Sequence, residues 1–474
     1  MIALTVAEIA ELSDGRISDL ADATDLVAGP VVADSRLVVP GSLFVAIKGD
    51  RVDGHEFAVQ AISDGARLVL ASRPIAVPAV LVDDTVLGLG NLARAYLDRL
   101  ERPVVVGITG SSGKTSTKDI VAQLLATLGP TVAPAGSFNT EVGLPVTVLR
   151  ADSDTRYLVL ELSARGLGHI AYLCGIARPT IGVVLNVGSA HLGEFGSHDA
   201  VARAKGELVE ALPGDGIAVL NADDVVVTAM QSRTDARVVT FGLTPHADVR
   251  AVDIRLDELA RPMFRIVSAV GEVDVRLSLH GAHHVSNALA AATVALELGL
   301  DIVSVGASLS NLHAVSHWRM QLSERADGLT VINDAYNANP ESMRAALQAL
   351  VAIGAGEAAG RRRRTHAVLG VMAELGPESA AAHFELGATA AHLGVHRLVV
   401  VGASARGIAD GAVNAGLDPT QVVVVDDVAA ASALLETSLG PDDVVLVKAS
   451  RSADLQRVAE TLLSVPVAPS GGGR

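Results

Sequence analysis

Apolar runs and helical stripes alternate along most of this chain. The clearest instance is VVVGITGSSGKTSTKDIVAQLLATLGP, residues 104–130. Its apolar opening reads as a buried strand that runs into a Gly/Ser loop. Ile120, Val121, Leu124, Leu125 and Leu128 then fall on one face of a helix, and Gly129-Pro130 stops it. Buried strands are predicted over 157–162, 181–187 and 217–220, with helical stretches between them, the pattern of a parallel sheet with crossovers. From about 249 to 279 the texture changes to alternating strands, read as antiparallel and lying along one edge of that sheet. A helix is predicted over 284–298. A third alternation begins near 316, with strands at 329–333, 367–370, 398–401, 422–425 and 444–447 and helices between them, again doubly wound. The first hundred residues mix short elements, and 34–72 reads strand, helix, strand. The loop AIGAGEAAGRRRR before Thr365 reads as a solvated surface loop, and the tail VAPSGGGR as disordered.

Length agrees with three such blocks: 474 residues at roughly 150 per domain is about three domains. The division is 1–102, a small α/β domain; 103–315, a central domain with a mostly parallel sheet and a phosphate loop; and 316–474, a Rossmann-like doubly wound domain. Half the residues are hydrophobic but only 3% are aromatic, so the cores are aliphatic. A net charge of −16 argues against a nucleic-acid partner, because phosphate affinity rests on Lys and Arg. The single cysteine, Cys174, excludes an internal disulfide and any cysteine-cluster metal site. The opening MIALTVAEIAELSDG has no cationic start and is not a signal peptide. No apolar run reaches ~18 residues, so no spanning helix is expected and the chain reads as a soluble, cytoplasmic protein.

Candidate chemistry concentrates at GITGSSGKT, residues 107–115. Thr109, Gly110, Ser111, Ser112, Gly113, Lys114, Thr115 and Ser116 form a candidate nucleotide loop. Glycines let backbone N–H groups turn inward onto phosphate oxygens, and the helix N-terminus adds positive potential. Lys114 can reach the β- and γ-phosphates, and the Thr115 hydroxyl can hold Mg²⁺. A lone Gly-x-Gly would be an ordinary turn; the GKT, the strand before it and the helix after it point to a nucleotide. Two residues separate Gly110 from Gly113 and five separate Gly107 from it, with Ile at 108, so this is not the motor or GTPase form. Glu161 ends a strand and is placed to hold Mg²⁺, although an exposed strand-end carboxylate is the plain alternative. His191 follows another apolar strand, in GSAHLGEFGS; a single His is more often structural, and its strand-end position favours a ligand. Lys205 lies on a helix, where a solvated lysine is the bland reading. Trp318 reads as core or hinge packing.

The loop resembles TG(T/S)xGKT of the Mur ligases and folylpolyglutamate synthetases, ATP-dependent enzymes that join an amine to a carboxylate. The resemblance extends to SFNTEVGLP (137–145), LELSARGLGHIAYLC (160–174), LNVGSAHLGEFGS (185–197), DAYNANPESM (334–343) and VLVKASRS (445–452), with DSR at 34–36 and DGH at 53–55. These blocks cover nearly the whole chain and are similar to the MurF branch, which joins D-alanyl-D-alanine to UDP-N-acetylmuramoyl-tripeptide. The resemblance implies ATP and two Mg²⁺ ions. Lys205 is implied to be carbamylated and, with Thr115, Glu161 and His191, to hold metal. Asn287 is implied at the adenine, Arg319 at the γ-phosphate and Asp334 at the ribose. Where the family often has Asn after the His of this motif, the chain has His284. Ser35 and Arg36 are implied at the UDP end, Asn139, Thr140, Ser163 and Arg165 at the muramoyl peptide, and Asn337 and Asn339 at the dipeptide.

The implied reaction passes through an acyl phosphate, with Lys114, His191, Lys205 and Arg319 as its catalytic groups. It is a cytoplasmic step of peptidoglycan precursor synthesis by a monomer without nucleic-acid or membrane partners. Arg319 and Asp334 belong to a different domain from Lys114, so the site must form by domain closure. The alternatives are a Mur ligase that adds the third amino acid, a folylpolyglutamate-type ligase, or a nucleotide-gated scaffold without catalysis.

Overall fold

The strand Val104–Thr109 shows how the pattern builds the centre of the molecule. Val105 faces one apolar core while Val106 and Ile108 face another. Its neighbour Tyr157–Glu161 does the same, with Leu158 and Leu160 on one side and Tyr157 and Val159 on the other. Successive strand side chains point to opposite faces, so a run without polar interruption marks a sheet covered on both sides. Each fully buried Val, Leu or Ile contributes roughly 1.5–3 kcal/mol. That burial fixes the place of the strand ends on which the polar loops are mounted.

The structure, a computed structural model, describes residues 2–134, 136–188, 192–358 and 361–464. Its central sheet has nine strands in the order 271–276, 262–268, 249–256, 237–242, 217–221, 181–184, 104–109, 157–161, 131–132. Every pairing from 131–132 across to 249–256 is parallel. The last three strands pair antiparallel with one another, as the alternating pattern predicted. From 104–109 the chain crosses to 131–132, returns to 157–161 and then passes to the other side at 181–184. The strand order therefore reverses at 104–109, and the crevice beyond such a switch is where open α/β sheets bind ligands.

The N-terminal residues form a five-stranded sheet, ordered 16–17, 79–81, 68–71, 43–45, 31–32. One of its faces shares a core with the central sheet: Leu89, Leu92 and Tyr96 of the helix Thr85–Leu97 lie in the same cluster as Leu144, Leu158 and Leu173. The Tyr96 hydroxyl donates to the Ala151 carbonyl at 2.6 Å across that junction. The C-terminal sheet runs 321–324, 330–333, 444–448, 365–369, 397–401, 422–425, parallel except for its first strand. Separate apolar clusters cover its two faces. No helix among the described residues is long and apolar enough to cross a membrane.

Some expectations change. The strand predicted over 181–187 ends at Val184, because Leu185 and Asn186 bend over the phosphate loop. The helix predicted through Leu128 ends at Leu125. The arginine-rich loop is not simply solvated. Its backbone pairs 357–358 with 361–362. Arg363 donates to the carbonyls of Asp442 and Gly328 and to the Thr330 hydroxyl, and Arg364 holds the buried Asp443. Arg363 is half-buried and Arg364 stays exposed, and the partners of both lie far away along the chain. Trp318 is half-buried, with the Arg451 guanidinium 4.2 Å over its ring. The tail 467–474 and His191 lie outside the described residues.

Candidate active site

The phosphate loop stands at the C-terminal end of the strand Val104–Thr109 and opens the helix Lys114–Leu125. Gly113 caps that helix at φ +82, and a Cβ there would sit 2.6 Å from Asn287 Oδ1, so only glycine serves. Asn186 braces the loop from the neighbouring strand end. Its Oδ1 accepts from Ser111 N at 3.0 Å and Ser112 N at 2.9 Å. Lys114 Nζ donates to the Gly110 carbonyl at 2.7 Å. Burial pushes the Lys114 ammonium below its usual range, against the pull of the Glu161 carboxylate, and Arg319 adds to the depression.

Glu161 is buried at the end of its strand. Its Oε2 accepts from the Thr115 hydroxyl at 2.8 Å and its Oε1 from Asn139 Nδ2 at 2.7 Å. Lys205 is buried on the helix His198–Glu210. Desolvation, reinforced by Lys114, pushes its ammonium well below the usual range, which favours the neutral amine. Among the described residues the Lys205 side chain makes no hydrogen bond or ion pair, and no group of three or more His, Cys, Asp or Glu side chains forms a protein-only metal cage.

The C-terminal sheet delivers the opposite wall. Arg319 Nη2 donates to Thr115 Oγ1 at 3.1 Å, its guanidinium lies 4.2 Å over the Tyr336 ring, and its buried Nε has no hydrogen-bond partner. Asn339 caps the helix Pro340–Gly354 and also donates to the Ser111 carbonyl at 3.2 Å. The Tyr336 hydroxyl is hydrogen-bonded to Ser137. Arg319, Asn339 and Tyr336 thus already reach the phosphate loop and its neighbouring segment.

Two cavities share this loop. One of about 280 Å³ is lined by Ser111–Ser116, Asn139, Thr140, Glu161, Ser163, Arg165, Arg319, Asn337 and Asn339. The other, about 260 Å³, is lined by Asn287, Asp334, His283, His284 and Lys448, and shares Ser112, Gly113, Ser116 and Arg319 with the first. Asp334 pairs with Lys448 Nζ at 2.6 Å and accepts from Met320 N at 3.0 Å. Burial takes the His283 imidazolium down to about 4, with Asp334 pulling the other way. Burial also pushes His284 well below its ordinary value, so both rings are neutral near pH 7.

The structure therefore gathers most of the sequence-selected residues around one loop. Thr109 is buried beneath the loop and lines neither cavity. Ser35 and Arg36 stand apart in a short turn of the N-terminal unit, where Arg36 pairs with Asp34. Residues missed by sequence reasoning are Asn186, Tyr336, Lys448, His283 and Lys118. Asn186, Tyr336 and Lys448 lay inside the blocks already singled out, and only their distant partners assign them a place.

The arrangement is suited to phosphoryl transfer between anions: backbone donors at a helix N-terminus, the two partly buried cations Lys114 and Arg319, and a carboxylate–hydroxyl pair, all in crevices between two sheets. The chain matches the Mur ligase family catalytic domain over residues 30–103, the Mur ligase middle domain over 108–295, and the Mur ligase glutamate ligase domain over 318–451. It is 48% identical to the UDP-N-acetylmuramoyl-tripeptide–D-alanyl-D-alanine ligase of Mycobacterium tuberculosis, covering 98% of each chain. Its fold superposes on the crystal structure of MurF from Acinetobacter baumannii with a TM-score of 0.86 at 29% identity, covering 98% of this chain and 99% of that one. The MurF ligase of Thermotoga maritima in complex with ADP gives 0.78 at 31% identity, covering 94% and 98%. With matches over all three sheets and a phosphate loop at their meeting point, the chain belongs to the Mur ligase family.

Proposed function

We propose that this chain joins D-alanyl-D-alanine to UDP-N-acetylmuramoyl-tripeptide at the expense of ATP, releasing ADP and phosphate. The observation that carries this reading is the 46–48% identity, over 98% of the chain, to mycobacterial ligases of that name. The ligases that add the third amino acid and the folylpolyglutamate-type enzymes are not favoured by it. ATP as the nucleotide rests on the loop geometry and on the ADP-bound relative.

In this reading the terminal carboxylate of the tripeptide attacks the γ-phosphorus and ADP leaves, giving an acyl phosphate. The amine of the dipeptide then attacks the acyl carbon, and phosphate leaves. Backbone N–H groups of 110–115 hold the phosphates. Lys114 and Arg319 face the transferred group from two different sheets, and their positive charge offsets the charge spread over its oxygens. The Lys114 depression by burial would be relieved by a phosphate beside it, so the site gains from binding an anion despite the chain's net charge of −16. Asn287 and Asp334 line the nucleoside side. Asn139, Thr140, Ser163 and Arg165 line the peptide side with Asn337 and Asn339, and Ser35 and Arg36 are assigned to the UDP end. Crossing contacts from Arg319, Tyr336 and Asn339 close the crevice against water, which would hydrolyse an acyl phosphate.

Mg²⁺ fits the residues present. It takes one or two carboxylates and completes its shell with phosphates and water, and Thr115 with Glu161 offers that donor set. A second ion would use Lys205 as its carbamate, which only a neutral amine forms, together with His191. When bound, the ions neutralise charge on the phosphates. Domains 1–102, 103–315 and 316–474, a monomer, and a cytoplasmic place in peptidoglycan precursor synthesis complete the proposal. A phosphate-release assay tests it with UDP-muramoyl di- and tripeptides against D-alanyl-D-alanine and free diamino acids. Turnover is expected only with tripeptide plus dipeptide. Turnover with the UDP-muramoyl dipeptide and an amino acid instead would overturn it.

A further inference from the structure

Lys118 is the second lysine of the phosphate-loop helix, one turn beyond Lys114, and the chemistry above makes no use of it. Its side chain is entirely buried. A lysine is rarely found there, because the ammonium must recover its lost hydration from fixed partners. Lys118 recovers it from three acceptors. Nζ donates to the Pro134 carbonyl at 2.7 Å and the Gly136 carbonyl at 3.1 Å, and pairs with Asp119 at 2.6 Å. Two of the three are main-chain oxygens of one loop, the segment after the strand Thr131–Val132.

That loop leads directly into residues that face the cavity. Ser137 meets the Tyr336 hydroxyl, and Asn139 donates to Glu161, which accepts from Thr115. The contacts close a ring. It leaves the helix at Thr115, passes through Glu161, Asn139 and the loop, and returns to the same helix at Lys118. The first turn of the helix therefore meets the phosphate side of the crevice, and the next turn anchors the segment on the peptide side. An apolar side chain of similar length would fill the space but leave two carbonyls without their donor.

We propose that Lys118 is a positioning residue for the peptide substrate: its ammonium clamps the Pro134 and Gly136 carbonyls so that Ser137 and Asn139 are aimed into the cavity. This rests on the ligase reading for the identity of the substrate, not for the clamp. Two variants test it. Lys118→Gln keeps an N–H donor but loses the charge; Lys118→Met loses both. Amide hydrogen exchange over 136–140 in the substrate-free protein is expected to quicken in the order wild type, Gln, Met, with the rest of the helix protected. Steady-state kinetics are expected to show KM for UDP-muramoyl tripeptide rising by about tenfold or more in Met and less in Gln, with KM for ATP within about twofold. Adding Asn139→Ala to either variant is expected to cost less than the product of the single effects, because both act through one loop. Unchanged exchange in a folded variant overturns the clamp. So does an equal rise in both KM values, which would place the effect on the nucleotide loop. If Met does not fold, Gln alone decides by the same criteria. A wild-type protein inactive with tripeptide and dipeptide would overturn the ligase reading, and the exchange measurement would still judge Lys118.

Discussion

The two ends of the C-terminal sheet use the same kinds of side chain in opposite ways. At the N-terminal ends of its strands, Asp443 accepts two hydrogen bonds from Arg364 at 2.9 and 2.7 Å, one contact from His366 Nε2 at 3.1 Å and one from Gly440 N at 2.8 Å. Burial alone would raise its pKa, but these bonds carry it down to about 2. At the C-terminal ends, Asp334 pairs with Lys448, and Arg319 sits beside them with its buried Nε unpartnered. Lys114 and Lys205, across the crevice, are depressed by desolvation. One end closes its charges among themselves. The other keeps two lysines desolvated and the Arg319 Nε without a hydrogen-bond partner. A cluster with every charge matched can add to the fold, whereas a buried cation short of partners costs stability and is repaid by an anionic ligand.

That contrast can be broken experimentally, and the largest effect belongs at the open end. Lys114→Ala is expected to lower phosphate release by roughly 10³-fold, while circular dichroism and the melting temperature stay near wild type. Wild-type turnover would remove the argument for the loop. At the closed end the signs reverse. Asp443→Asn is expected to cost about 3 kcal/mol of stability by leaving Arg364 and His366 without their carboxylate, read by urea unfolding, with turnover per folded molecule unchanged. A loss of turnover without loss of stability would show that the two ends are not separate.

Smaller effects sharpen the comparison. Lys205→Ala is expected to lower turnover by about 10–100-fold and to recover in part when short carboxylates are supplied; absence of rescue would leave a carbamate unsupported. The smallest effect is a pH window. The Asp443 pKa is depressed in the folded state, so its stabilisation is complete above the ordinary value of 3.8 and is lost as pH falls through about 2. The stability gap between wild type and Asp443→Asn, in part worth ~2 kcal/mol by that linkage, should hold at pH 5 and narrow towards pH 2. A constant gap would mean that the hydrogen-bond shape, not the charge, does the stabilising.

How legible each region was follows from how local its partners are. The phosphate loop was readable because strand, glycines, Lys114 and helix lie within about two dozen consecutive positions, and backbone geometry alone turns them into a cradle. The strand at 104–109 and its neighbours were readable because they are apolar on both faces. Arg364 stays exposed, as a solvated loop predicts, but its pairing with the buried Asp443 was not legible because that residue lies 79 positions further along the chain. Lys118 was not singled out from the sequence, because its carbonyl partners are not visible in side-chain chemistry at all. Asn339 read as a residue of the substrate loop, and is also a helix cap that touches Ser111 across 228 positions.

By itself, the order of residues determined the alternation of strands and helices, the loop that can hold phosphate, and the short polar blocks that resemble a ligase family. Each depends on spacing within a few turns or strands, where covalent geometry leaves little choice. The tertiary structure decided which charges meet: that Arg319 reaches Thr115 from another sheet, that Glu161 is shared between Thr115 and Asn139, that Asp443 is closed off while Lys205 is left buried and unpaired among the described residues. Electrostatic partners act through space at a few ångströms and owe nothing to separation along the chain, so only the packed sheets could say which lysines hold the fold together and which face the crevice.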